Sequence, residues 1–168
     1  MKALPRLGLL FSLLLPAALV TATELPSING DTWLNSAPLQ RQDLAGKVVL
    51  VKFWTYGCHN CNAVEPYVKQ WYQRYADQGL VVIAIHSPEF AQERQVDNVR
   101  DYLRTHAVTY PVLLDNDFSN WQRFHNRYWP TIYLADRRGQ VRYRKIGEGD
   151  YQKTERWIQR LLKETDGR

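Results

Sequence analysis

Cys58 and Cys61 are the only cysteines in the 168-residue chain, and they stand three positions apart. Thiols at that spacing can cycle between a dithiol and a disulfide. As a staple the pair would be poor, because the chain-entropy model gives a four-residue ring about 2 kcal/mol, less than a longer loop would supply. The 146 residues that follow Ala22 are enough to bury a core without it. Redox exchange is therefore the chemistry that the spacing favours. A zinc site would need about four ligands, and His59, His86, His106 and His125 form no recognised metal spacing with the two thiols. Haem attachment needs a histidine after the second cysteine, where Asn62 stands. A copper-handling domain that binds Cu(I) through both thiols and one histidine, His86 first among them, is the alternative.

Several elements must position this pair. Val48 to Trp54 reads VVLVKFW, a run expected of a central strand covered on both faces. After the turn Thr55-Tyr56-Gly57, the spacing of Val64, Val68, Trp71 and Tyr75 predicts a helix that Gly79 stops and Pro66 kinks early. Leu80 to His86 is a second strand, so the order strand, helix, strand predicts parallel pairing with a right-handed crossover. Cys58 then falls at a helix N-terminus, where unpaired N–H groups and the dipole favour thiolate. Cys61, one turn further in, is expected to be more buried and protonated. Cys58 would attack a substrate disulfide, and Cys61 would resolve the mixed disulfide.

The remaining pattern fills one α/β domain over residues 23–168. Residues 23–46 carry turn formers around short apolar pieces and suggest an N-terminal hairpin or extended segment. Helices are expected over 92–106 and 117–124, the second with Asp117 as a cap, and a short strand over 110–114. These make a mainly helical insertion in the middle of the domain. Strands over 131–135 and 140–146 flank a turn containing Gly139 and predict an antiparallel hairpin, followed by a helix over 151–163. The sheet is therefore mixed.

Composition narrows the setting. The chain is 45% apolar and 23% charged, which fits a globular domain and excludes disorder or a multi-span membrane protein. Residues 1–22 read as an export signal: Lys2 and Arg6 precede an uncharged, Leu-rich run, and Val20-Thr21-Ala22 offers small residues for cleavage. Left uncut, the segment would serve as an N-terminal anchor; either way an extracytoplasmic, periplasmic domain is expected. A chain cut after Ala22 keeps 20 basic and 17 acidic residues, a surplus too small and too scattered for a nucleic-acid surface.

The stretch VVLVKFWTYGCHNC, with Pro66 five positions past Cys61 and Trp129-Pro130-Thr131 ahead of the closing hairpin, resembles the thioredoxin superfamily. FWTY, HSPEF, TYPV, LDND, YWPT and GEGDY further resemble TlpA-like extracytoplasmic proteins, especially the thioredoxin-like domain of DipZ-type proteins. The resemblance runs from about Asp43 to Leu162. It implies a thioredoxin fold and a cis peptide between Trp129 and Pro130, where backbone could pair with an extended substrate strand. It implies a monomeric reductant of protein disulfides that needs no metal or organic cofactor. Electrons would come from a membrane thiol reductant of the DipZ-like type, with clients such as those of cytochrome c maturation. Oxidase or isomerase direction is the alternative within the same chemistry. Thr55-x-x-Cys58 also resembles a peroxidase motif, without the upstream proline.

Other site residues follow from this alignment of motifs. Trp54, Trp129, Pro130 and Gly147 are expected to form the substrate-binding rim, with core packing the competing reading for Trp54. His59, between the cysteines, favours the Cys58 thiolate when charged. Lys52 stands where thioredoxin carries an acid thought to deprotonate the inner cysteine. It is expected either to lower a thiolate pKa or to snorkel past the sheet to water. Glu65 is expected on the helix surface, and His86 at the carboxyl edge of its strand either approaches the site or caps the strand end.

Overall fold

In the computed structural model, residues 23–164 are described; the expected export signal over 1–22 lies outside them. Strand β2, Val48–Trp54, is buried at every position, as its continuous apolar run requires. It lies in a six-stranded mixed sheet whose strands, in spatial order, cover Trp33–Leu34, Val112–Leu114, Leu80–His86, Val48–Trp54, Thr131–Ala135 and Val141–Ile146, that is β1-β4-β3-β2-β5-β6. Strand β3, Leu80–His86, pairs parallel to β2 with Val48 opposite Leu80 and Trp54 opposite His86. Strand β4, Val112–Leu114, adds parallel to β3, and β5, Thr131–Ala135, runs antiparallel on the other side of β2. Strand β6, Val141–Ile146, completes the expected hairpin with β5.

Helix α1, His59–Tyr75, buries Val64, Val68, Trp71 and Tyr75, the stripe that its sequence spacing predicts. With α2, Val96–Thr105, and α4, Tyr151–Lys163, it covers one face of the sheet, where Leu50, Trp54, Val82, Leu103, Ile158 and others form the larger core. The opposite face carries Val51, Phe53, Ile83, Ile85 and Tyr133 and is closed by the N-terminal segment and the short α3, Ser119–Arg123.

Three expectations change. The N-terminal segment forms no hairpin: β1, Trp33–Leu34, pairs antiparallel with β4, while Glu24 bridges to Gln140 beside β6. Both sheet edges offer unpaired backbone groups, and the segment satisfies one with each of its ends. Asn29 exchanges hydrogen bonds with Asn120, and a Cβ on Gly30 would lie 2.6 Å from Leu113. Its turn formers thus serve tertiary contacts instead of a local turn. The helix expected over 92–106 is divided into a 3-10 turn, Ala91–Arg94, and α2. Asp117 does receive the N–H of Ser119, but Asp115 anchors α3 more extensively, accepting from the N–H groups of Asn120 and Trp121.

Candidate active site

Strand β2 ends at Trp54, and four residues later Cys58 is the N-cap of α1. Its Sγ accepts the N–H of Cys61 at 3.1 Å, while its carbonyl accepts the N–H of Asn62 at 3.1 Å. One of the helix's unpaired donors therefore points at the sulfur, the arrangement that stabilises a thiolate. Cys58 is half-buried and Cys61 is 1% exposed, as expected for an entering and a resolving sulfur. The two are joined in a disulfide with their Cα atoms 5.2 Å apart. His59 is exposed at the first position of α1.

The sheet brings the expected recognition segment to the same end. Thr131 pairs with Phe53, so the Trp129-Pro130 bond, which is cis, sits where β2 delivers the chain to Cys58. Gly147 takes a positive φ of 75° and donates its N–H to the Pro130 carbonyl, joining the third rim residue to the second. The half-buried Trp129 donates its indole N–H to Ser87, whose own N–H bonds the Trp54 carbonyl. Trp54 itself departs from the rim expectation: it is fully buried, edge-on to His86 and tilted on Tyr102. Its place on the α1 side of a strand covered on both faces decides that. Exposed apolar groups at this end include Tyr128 and Ile146, flanking the rim in sequence, and Phe90, whose ring would lie 3.9 Å from a Cβ on Gly57.

Lys52 does not snorkel. It is fully buried, its Nζ bonds the carboxylate of Glu65, and its ammonium lies 5.0 Å from the Trp54 ring centre. Burial lowers the lysine pKa, with Glu65 opposing. Glu65 is likewise not on the helix surface but 3% exposed, and it also accepts the Tyr110 hydroxyl. Position 65 is one helical turn past Cys61, on the same inward face. The sequence-based reading fails here because a charged side chain on the buried face of α1 is tolerated only with a buried partner, and that partner comes from a different element.

Behind the turn that carries Cys58 lies a second polar network that sequence reasoning only touched. Thr55, His86 and Glu93 are all fully buried. The Glu93 carboxylate accepts the N–H groups of Gly57, Glu89 and Phe90. Thr55 Oγ1 lies 3.2 Å from His86 Nε2, and His86 Nδ1 has no partner. Glu93 was invisible from the sequence, where it lies in the polar run AQERQ that reads as surface.

Among the described residues no group of three or more His, Cys, Asp or Glu side chains is placed to hold a metal ion, and His86 does not join the two cysteines in one. Burial instead pushes the His86 pKa down to about 4, with Glu93 opposing. The neutral ring is the folded form, so this contribution is intact above the unfolded value of 6.5 and is lost as pH falls toward 4. By linkage the loss is about 2 to 3 kcal/mol at pH 4.5. Urea unfolding at pH 7 and 4.5 is expected to show it, and His86→Gln, which keeps a donor for Thr55, is expected to remove most of that difference. Carboxylates held low by hydrogen bonds, Glu93 among them, begin to contribute only near pH 4.5, at the foot of this window.

The AhpC/TSA family matches the chain over residues 21–144. Protein DipZ of Mycobacterium tuberculosis is 46% identical over 145 residues, covering 84% of this chain and 21% of its own length. The chain thus spans about a fifth of that relative. The thiol-disulfide oxidoreductase YkuV of Bacillus subtilis is 30% identical over 143 residues, covering 84% of this chain and 96% of YkuV. The solution structure of a thioredoxin-like protein in the oxidized form superposes with a TM-score of 0.77 at 30% identity, covering 86% of this chain and 98% of its own. Among the described residues no helix is long and apolar enough to cross a membrane. With its CxxC disulfide at the head of α1 and its similarity to thioredoxin-like proteins and a thiol-disulfide oxidoreductase, the chain belongs to the AhpC/TSA family.

Proposed function

We propose that the protein is an extracytoplasmic reductant of protein disulfides. The observation that carries this reading is the half-buried Cys58 sulfur at the α1 N-cap, receiving the Cys61 N–H, with its partner sulfur sealed behind it. In the reduced protein the Cys58 thiolate attacks one sulfur of a client disulfide, forming a mixed disulfide and releasing the client's other sulfur as a thiolate. Cys61 then loses its proton and attacks Cys58. The client leaves as a dithiol, and its two electrons have come from the Cys58–Cys61 pair, now a disulfide. A membrane thiol reductant, the partner that the DipZ resemblance implies, restores the dithiol. No metal or organic cofactor takes part in these steps.

Backbone at Trp129, next to Pro130 and Gly147, is proposed to hold the client strand by main-chain hydrogen bonds, and His59 to favour the thiolate when charged. Export rests on Lys2, Arg6 and the uncharged run that follows. Expressed at full length in a bacterium, the protein is expected in the periplasmic or membrane fraction. The deciding measurement is the reduction potential against glutathione: a value near or below that of thioredoxin, about −270 mV, supports a reductant, whereas one above about −180 mV overturns that direction. Insulin-disulfide reduction by the dithiol protein tests the exchange itself, and its absence in folded protein overturns the reading.

A further inference from the structure

Cys58 is delivered by the turn Thr55-Tyr56-Gly57, and that turn is not held by its own residues alone. The Cys58 N–H bonds Thr55 at a long 3.4 Å, whereas the Gly57 N–H donates to Glu93 Oε1 at 3.0 Å across a separation of 36 residues. The other oxygen of Glu93 accepts Glu89 N–H at 2.6 Å and Phe90 N–H at 3.0 Å. One buried carboxylate therefore ties the first residues of the central insertion to the residue just before the nucleophile. Gly57 leaves the space: a Cβ there would stand 2.3 Å from Glu93 Oε1.

The partners of this carboxylate matter as much as its position. Lys52 and Glu65 neutralise one another. Glu93 has no Lys or Arg within ion-pair distance among the described residues; peptide N–H groups satisfy it. Burial would raise its pKa, but the hydrogen bonds from Phe90, Thr55, Glu89 and Gly57 outweigh this, so it stays ionised. A full negative charge thus sits beside the turn that must later carry a second one at Cys58. The other ionisable groups around the turn are His59 on α1, His86 at the end of β3, Tyr56 in the turn, Tyr102 on α2 and Glu89 in the insertion.

We infer that Glu93 is a positioning residue for Cys58, fixing the turn through Gly57 while its charge opposes the Cys58 thiolate and holds the pair toward the reducing side. This rests on the reading of Cys58 as the nucleophile. Gly57 N and Cys58 Sγ belong to adjacent residues, which puts the carboxylate roughly 8 Å from the sulfur by covalent geometry. At an effective dielectric of about 20, unscreened repulsion over that distance corresponds to about one and a half pKa units at Cys58, which partial screening by salt brings to about one. Stabilising the thiolate stabilises the dithiol form, so removing the charge must make the pair more oxidising.

The test is a titration of Cys58 by thiolate absorbance in a Cys61→Ala background, so that one thiol is followed. Glu93→Gln is expected to lower the Cys58 pKa by about one unit. In the unsubstituted CxxC background it is expected to raise the potential against glutathione by about 30 mV, the equivalent of a tenfold change in the two-electron equilibrium. An unchanged pKa in a folded variant overturns the inference, even if its melting temperature falls. Should Glu93→Gln fail to fold, Gly57→Ala decides: it keeps every charge but pushes the carboxylate off the turn, and a fall of about half a unit is expected, with no fall overturning the proposal. Failure of the wild type to reduce insulin would instead strike the proposed activity and leave this pKa comparison standing.

Discussion

Cys58→Ser is expected to reduce insulin no faster than buffer, whereas Cys61→Ser is expected to stop after one step, accumulating as a mixed disulfide with the client. The difference follows from placement. Serine at position 58 removes the sulfur that the α1 N-terminus ionises, and a hydroxyl there has no comparable anion near neutral pH. Serine at position 61 leaves that nucleophile in place but removes the group that would attack it. Cys61 is sealed beneath its partner, so no client thiol reaches the bond easily from the inner side. Non-reducing gels of each variant, mixed with a disulfide-bonded client, read the outcome. A trapped adduct with Cys58→Ser and none with Cys61→Ser would reverse the assignment of entering and resolving sulfurs.

Lys52→Met is expected to cost about 3 to 5 kcal/mol of stability, the largest folding effect foreseen for a single substitution here. The substitution deletes the one cation bonded to Glu65 and leaves that carboxylate beneath the core with the Tyr110 hydroxyl as its remaining partner. Adding Glu65→Gln should recover part of the loss, because a neutral amide can still accept from Tyr110 without a buried charge. A coupling of about 2 kcal/mol between the two positions in a urea double-mutant cycle is the expected result. Additive effects would show that the pair does not act as a unit.

That buried pair also marks where reading the chain in one dimension stops. Val48 to Trp54, the helical stripe of Val64, Val68, Trp71 and Tyr75, Leu80 to His86, the closing hairpin and the helix from Tyr151 to Lys163 could all be read in advance. Each is specified by a local period of apolar residues, with neighbouring turn formers to end it. The helix-end position of Cys58 follows from the same local rule. By contrast, Trp54 belongs to the core instead of the rim, Glu65 to the interior instead of the surface, and residues 23–46 to two sheet edges instead of a hairpin. Their surroundings are made by residues far away in the chain, which no local pattern encodes.

From the sequence alone came the two sulfurs, their spacing, the strand and helix that present them, and the proline ahead of the last hairpin, because these depend on covalent neighbours and on periods of a few residues. Only the folded chain decided that Lys52 answers Glu65, that burial beside Thr55 holds His86 neutral, and that Glu93 reaches back over 36 residues to Gly57. Buried polar groups must find partners wherever the fold supplies them, and which partners those are is settled by the packing of separate elements.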